Sequence, residues 1–342
     1  MQLLRSFGGC HSDIVAMDWS ADSKWIAVGS HDLTARLFSS EPLPGFTPPT
    51  LTGHKAVLVA VFFASPQTQR AAQLLGDPAP SIFTVSADGA MLGYTFTPAN
   101  ILPAEALQAQ QAHLAAKRKR PKDQGMGYDV EEEDVDSGSE DEAVTAHVDP
   151  DPASHGFAFG SWSLTSRNFF HQSHSKLTSA DYHAATGLLV TAFSTGHFLL
   201  HQLPDFDHIQ SLSISRHSVS TVRFNSNGEW LALGCAALGQ LLVWEWRSET
   251  YVLKQQGHFY DVSTVAFSPD GTHIASGADD FKVKVWSVSS GSCFVTFSDH
   301  TAAITDLVFT TNSNALVSSS LDGTCRAFDL VRCAPADVLY LA

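Results

Sequence analysis

Long apolar runs are missing from this sequence. No stretch of about 18 consecutive apolar residues occurs in its 342 residues, so no membrane-spanning helix is expected. The amino terminus also lacks the basic, apolar and small-residue order of a secretory signal, and a soluble, non-secreted protein is expected. Basic charge is scarce: 20 Lys and Arg stand against 35 Asp and Glu, a net charge of −15. That balance argues against gripping nucleic acid through the bulk surface, because phosphate contacts need clustered cations. Cysteine is sparse as well. Cys10, Cys235, Cys293, Cys325 and Cys333 form an odd, scattered set with no CxxC pair, which predicts reduced intracellular thiols, mostly small core residues. Motifs of chemistry are wanting too, with no GxGxxG, P-loop, HExxH or GxSxG. His171 and His174 in HQSH have metal-ligand spacing but no accompanying Cys or carboxylate pair; Ser173 and Lys176 match SxxK by chance. Neither an enzyme nor a cofactor is expected.

What the sequence does have is a period. Trp244, Trp286 and Phe328 are each 42 residues apart, and His217, His258 and His300 are separated by 41 and 42. His11 and His54 are 43 apart, as are His174 and His217. Self-similarity at roughly 40–45 residues, with Gly-His early and an aromatic late, marks a β-propeller of four-stranded blades. The clearest copy starts at Gly257. There VSTVAF alternates like a half-buried strand, SPDG supplies turn chemistry, and HIASG, KVKVWSV and SCFVTF read as further strands. Six copies open near His11, His54, His174, His217, His258 and His300.

Spacing, turn residues and aromatic positions together resemble the WD40 repeat family. The resemblance implies a buried network linking the Gly-His histidine, a Ser or Thr on the second strand, a turn Asp and the Trp of the third strand. In the fifth copy those places hold His258, Ser276, Asp280 and Trp286. The sixth has His300, Ser318 and Asp322, with Phe328 in place of Trp; the second has His54, Thr84, Asp88 and Tyr94. The fourth keeps Trp244 but has Gly234 and Leu238 where Ser and Asp are expected. A Ser, His and Asp set that recurs with drift along the chain is structural, since a catalytic triad occurs once and in a pocket.

Between Tyr94 and about Phe157 the period stops. A basic cluster, Lys117, Arg118, Lys119 and Arg120 running on to Lys122, precedes nine acidic residues between Asp129 and Glu142. Without those nine, 26 acidic residues face 20 basic ones. Low hydrophobicity with charge of one sign cannot offset ordering entropy, so a disordered insert is expected. KRKRPK fits a nuclear-import patch or a solvated charge run. Ser137 and Ser139, each with an acid three residues on, fit acidophilic phosphorylation or an unmodified spacer. The expected organisation is therefore repeats 1–2 over residues 1–98, a basic-then-acidic insert over 99–158, repeats 3–6 over 159–332 and a tail over 333–342.

Longer stretches carry a more specific likeness. LGQLLVWEWRSETYVLKQQGHF (Leu238–Phe259), DDFKVKVW, SCFVTF, LDGTCRAFDL, HIQSLSIS and NFFHQSHSKLTSADYHAATGLLVTAFSTGHFLLHQLPDF (Asn168–Phe206) resemble the periodic tryptophan protein 2 family. The resemblance implies a scaffold of the UTP-B subcomplex of the small-subunit processome, in the nucleus and nucleolus. Its implied partners are the protein subunits of that assembly, with precursor rRNA and U3 small nucleolar RNA reached mainly through the complex, and it would act in 18S rRNA maturation. No membrane or small-molecule substrate is implied. Members have two tandem propellers and a helical carboxy-terminal region, so the resemblance implies a partial chain. Two arrangements stay open: four copies complete one propeller while two begin another, or Leu3–Phe7 forms the outer strand of the last blade and closes a six-bladed ring. One further likeness points elsewhere. WEWR (Trp244–Arg247) resembles the Trp-Asp-x-Arg box of WD repeat receptors for cullin-RING ubiquitin ligases, with Glu245 departing from it; a substrate receptor is the alternative function.

Overall fold

The computed structural model describes residues 6–43, 46–69, 80–98, 157, 160–170, 175–214 and 216–340. The apolar alternation forms strands throughout, and each period folds into one antiparallel sheet. The first blade is β1 (Ile14–Trp19), β2 (Trp25–Ser30), β3 (Ala35–Ser39) and β4 (Thr50–Leu51). The second is β5 (Leu58–Phe63), β6 (Ile82–Ser86), β7 (Ala90–Pro98) and β8 (Gly160–Phe169); the third is β9 (Leu177–His183), β10 (Leu188–Phe193), β11 (His197–Gln202) and β12 (Asp207–Ser213). The fourth is β13 (Val219–Phe224), β14 (Trp230–Cys235), β15 (Gln240–Glu245) and β16 (Thr250–Gln256). The fifth runs through β17 (Val262–Phe267), β18 (His273–Ala278), β19 (Val283–Ser287) and β20 (Cys293–Phe297), and the sixth through β21 (Ile304–Phe309), β22 (Ala315–Ser320), β23 (Thr324–Asp329) and β24 (Ala334–Tyr340). In every sheet the strands lie in chain order. The fold is a six-bladed WD40 β-propeller. Among the described residues no helix is long and apolar enough to cross a membrane.

The chain divides into two compact units, residues 1–96 with 162–342 and residues 97–161. The first holds the propeller. Of the second, only 97–98, 157 and 160–161 are described; the import patch at Lys117–Arg120, Ser137 and Ser139 lie outside the described residues.

Apolar cores fill the spaces between consecutive blades. Phe62 and Phe83 meet Leu177 and Phe193 between blades two and three; Ala275 and Val283 meet Ile304 and Phe328 between five and six. Blades four and five join in the same way through Ala232, Leu241, Val262 and Trp286, so the copies do not split into four and two. The sixth blade draws its outer strand from β24, inside the stretch expected to be a tail. That place is filled, and of Leu3–Phe7 the first three residues lie outside the described residues. Its described end, Phe7, sets its ring 5.5 Å from that of Phe38 in the first blade. The cysteines are free, and Cys235 alone of the five is buried, whereas Cys293 and Cys333 are exposed; the expectation of core thiols fails because Cys293 lies on the outer strand β20 and Cys333 in the turn before β24.

Candidate functional site

The recurrent polar set is assembled within single blades. In the fifth, the Trp286 indole donates to Ser276 Oγ at 2.9 Å, and Ser276 lies 2.8 Å from His258 Nε2. His258 Nδ1 is 3.0 Å from both carboxylate oxygens of Asp280. A neutral imidazole carrying its proton on Nδ1 satisfies every member: indole to hydroxyl, hydroxyl to Nε2, Nδ1–H to carboxylate. Burial pushes the His258 pKa down against the opposing pull of Asp280, which agrees with the neutral form. The Gly of Gly-His follows from the indole, because a Cβ on Gly257 would come within 2.5 Å of Trp286 Cη2.

The sixth blade repeats the scheme with His300 Nδ1 2.8 Å from Asp322 and Nε2 2.6 Å from Ser318 Oγ. Phe328 substitutes stacking for the missing donor, its ring parallel to Phe297 at 4.1 Å. Burial raises the Asp322 pKa, but bonds from Thr324, His300 and two backbone amides outweigh it and hold the carboxyl well below the usual range. In the second blade an unforeseen residue intervenes. His54 Nδ1 meets Ser86 Oγ at 2.8 Å, Nε2 meets Thr84 Oγ1 at 2.5 Å, and Ser86 passes the bond on to Asp88. Tyr94 donates instead to the Thr52 carbonyl at 2.9 Å. Burial holds the His54 pKa down to about 4.

Strand register refines the fourth and third blades. Val222 pairs Leu233 as Val265 pairs Ser276, so Leu233, and not Gly234, stands in the serine place. Leu233 lies eleven positions before Trp244, whereas Ser276 lies ten before Trp286, which offsets a count made from tryptophan. Trp244 is buried with its Nε1 lacking a partner. In the third blade Thr191 and His201 occupy the serine and tryptophan places. Both are buried, and neither Thr191 Oγ1 nor His201 Nδ1 has a partner; burial holds the His201 pKa down to about 4. His201 precedes Trp244 by 43 residues, so the period itself could have found it. His174 lies outside the described residues, and His11 and His217 are exposed.

A second recurrent device couples neighbouring blades. The first strand of each blade carries a β-bulge, and in the last four blades the bulged residue is Thr178, Ser220, Ser263 or Thr305. Thr178 Oγ1 donates to the Val219 carbonyl at 2.5 Å, Ser220 to that of Val262, and Ser263 to that of Ile304 at 2.5 Å. Each hydroxyl clasps its blade to the next. The sequence signal is a Ser or Thr recurring at 42 or 43 residues.

The first strands surround a central cavity of about 690 Å³ whose walls include Asp18, Asp181, Arg223 and Asp306. Asp18 accepts the Phe63 amide at 2.8 Å and Asp181 that of Phe224 at 2.7 Å, with Arg223 3.6 Å from Asp181. These carboxylates lock one blade to the next and do not frame a nucleophile and base. Among the described residues no group of three or more His, Cys, Asp or Glu could hold a metal ion.

Two surface features remain. On the rim of the fifth blade Phe259, Tyr260 and Phe281 are exposed, with Lys282 Nζ 5.8 Å from the Phe259 ring centroid. In WEWR, Trp246 donates to the Gly228 carbonyl at 2.8 Å, and exposed Arg247 sits over the Trp246 ring and 3.8 Å from Glu229.

Comparison with known proteins bears on what such surfaces meet. The WD domain, G-beta repeat model matches residues 1–39, 249–287 and 291–329. Periodic tryptophan protein 2 of Arabidopsis thaliana is 38% identical over 96% of this chain, and its homolog in Dictyostelium discoideum is 51% identical over 46%. The chain belongs to the periodic tryptophan protein 2 family. It spans 37% of the length of the Arabidopsis relative and 17% of the Dictyostelium one. Pre-rRNA-processing protein IPI3 of Meyerozyma guilliermondii is 34% identical over 30% of the chain and 26% of its own length. The family's tryptophan periodicity has a physical basis here: the column formed by Phe38, Tyr94, His201, Trp244, Trp286 and Phe328 places one ring per blade.

Proposed function

We propose that the chain is a non-catalytic scaffold in pre-rRNA processing during ribosome biogenesis. The observation that carries this reading is the likeness to periodic tryptophan protein 2 along 96% of the chain, in a propeller whose recurrent His, Ser and Asp groups are spent on holding blades together. The name of the more distant Meyerozyma relative, a pre-rRNA-processing protein, supports the same direction. The finer assignment is to the UTP-B subcomplex of the small-subunit processome in the nucleolus. There, rim loops bind protein subunits, and precursor rRNA and U3 RNA are contacted mainly through the complex. An acidic propeller suits this division of labour, because its bulk surface repels phosphate while aromatic residues such as Phe259 and Tyr260 suit protein contacts.

The test is affinity purification of the tagged chain from nuclear extract, with proteins identified by mass spectrometry and RNA by hybridisation. Recovery of UTP-B subunits with precursor rRNA and U3 RNA is expected. A cullin-ligase adaptor recovered without those RNAs, and lost on Arg247→Ala, would replace this reading with the receptor.

A further inference from the structure

We propose that the rim of the fifth blade, around Phe259, Tyr260 and Phe281, is a docking surface for an arginine-bearing segment of a partner protein. This deepens the scaffold reading, on which it rests for taking the occupant to be a protein.

Phe281 carries the inference. In the turn between the second and third strands of blades two, three, five and six, one amide bonds back to a carbonyl: Gly89 to Ser86, Gly196 to Phe193, Phe281 to Ala278 and Gly323 to Ser320. The donor is left-handed in all four, with φ of 80°, 79°, 67° and 76°. Glycine adopts that conformation freely, whereas a bulky side chain is strained in it. Of these four turns only that of the fifth blade holds a phenylalanine, and it is 44% exposed. The turn does not need the ring and the core does not bury it. A contact made outside the chain accounts for both.

Two more rings stand beside it. Phe259 and Tyr260 are 84% and 64% exposed. The Phe259 amide donates to Asp280 Oδ2 at 3.2 Å, and Lys282 Nζ is 5.8 Å from the Phe259 ring centroid. Both contacts tie the Phe259 loop to the Phe281 turn, so the three exposed rings occupy one corner of the blade.

Charge selects the occupant. Asp261 and Asp279 border the rings, with the Asp279 amide donating to the Asp261 carbonyl at 3.0 Å. Burial raises the Asp279 pKa, and the charges of Asp261 and Asp280 raise it further, so these carboxylates repel one another and a cation relieves the repulsion. The two local cations are already engaged, Lys282 over Phe259 and Lys284 with Thr296 at 3.0 Å. Carboxylates at the border disfavour a phosphate backbone. A guanidinium stacks flat on aromatic rings and forks onto carboxylates, which suits this corner better than the compact, strongly hydrated ammonium of lysine.

The test places a photo-cross-linking residue at Tyr260 of the full chain in nuclear extract, with Phe294 as control site. Adducts are expected with an arginine-bearing segment of another polypeptide. Millimolar L-arginine amide should lower their yield roughly tenfold, whereas L-lysine amide and sodium chloride at the same ionic strength should not. A synthetic peptide of the cross-linked segment should bind roughly tenfold less tightly once its arginine is replaced by citrulline, which keeps the shape and removes the charge. Phe281→Gly and Asp279→Asn should each lower the adduct yield without lowering the unfolding midpoint, since one relieves the turn and the other the repulsion. Adducts with RNA, with this chain or with a second copy, and yields no higher than at Phe294, each overturn the proposal. So do equal competition by lysine amide and full cross-linking of the Phe281→Gly chain. Precursor rRNA and U3 RNA recovered with the chain from the same extract report on the scaffold reading separately, so either can fail alone.

Discussion

Trp286 and Trp244 are 42 residues apart in sequence and both buried, yet only the Trp286 indole hydrogen has an acceptor. Replacing either by Phe removes the same volume, so the difference isolates one hydrogen bond. Trp286→Phe is expected to destabilise by about 1 kcal/mol more than Trp244→Phe, measured by denaturant unfolding. Titration gives a second residue-level test. His54 and His201 are held down to about 4, and His258 is lowered from 6.5, by burial. Between 6.5 and those lower values the unfolded chain binds more protons than the folded one. Stability is therefore full above about 6.5 and falls as pH drops towards 4, with Asp322 adding its own loss below 3.8. Unfolding midpoints at pH 7 and pH 5 check this, and His201→Phe should make the fall shallower. The sequence displayed His258, Ser276, Asp280 and Trp286 by number because one period copies them from blade to blade. It hid Ser86, which enters the second blade through a side-chain route no spacing records, and Leu233, which only strand register identifies.

Strands were legible wherever apolar alternation met a Gly, Pro or Asp turn, as in VSTVAFSPDG. β24 was not, because the period had already placed its last aromatic at Phe328 and an outer strand needs little apolar alternation to mark it. The clasps were missed for another reason: a Ser or Thr on a strand has no evident acceptor until the next blade supplies one. Their weight is measurable. Ser263→Ala is expected to cost about 1–2 kcal/mol, since the carbonyls of Gly277 and Ile304 both lose a donor. Thr305→Ala should cost less than about 0.5 kcal/mol, because its exposed hydroxyl bonds to Ser319 of its own blade. Equal losses in unfolding experiments would contradict the assignment. At Gly257, Ala is expected to cost about 1–3 kcal/mol by driving a methyl into the Trp286 ring, and Trp286→Phe in the same chain should recover part of that loss.

At the scale of the whole molecule, buried polar groups hold the propeller together, and some aromatics stand exposed outside its cores. Phe259 and Tyr260 stand in a rim loop outside the cores, so their joint replacement by Ala should leave the unfolding midpoint within about 0.5 kcal/mol while lowering recovery of protein partners. Arg247→Ala should change neither. The central claim is a scaffold role in making the small ribosomal subunit, and the most direct measurement is pulse-labelling of rRNA after depletion of the chain's transcript. The account predicts loss of newly made 18S rRNA with large-subunit rRNA still accumulating, restored by a depletion-resistant copy of the gene. Unchanged 18S synthesis at full depletion would contradict it.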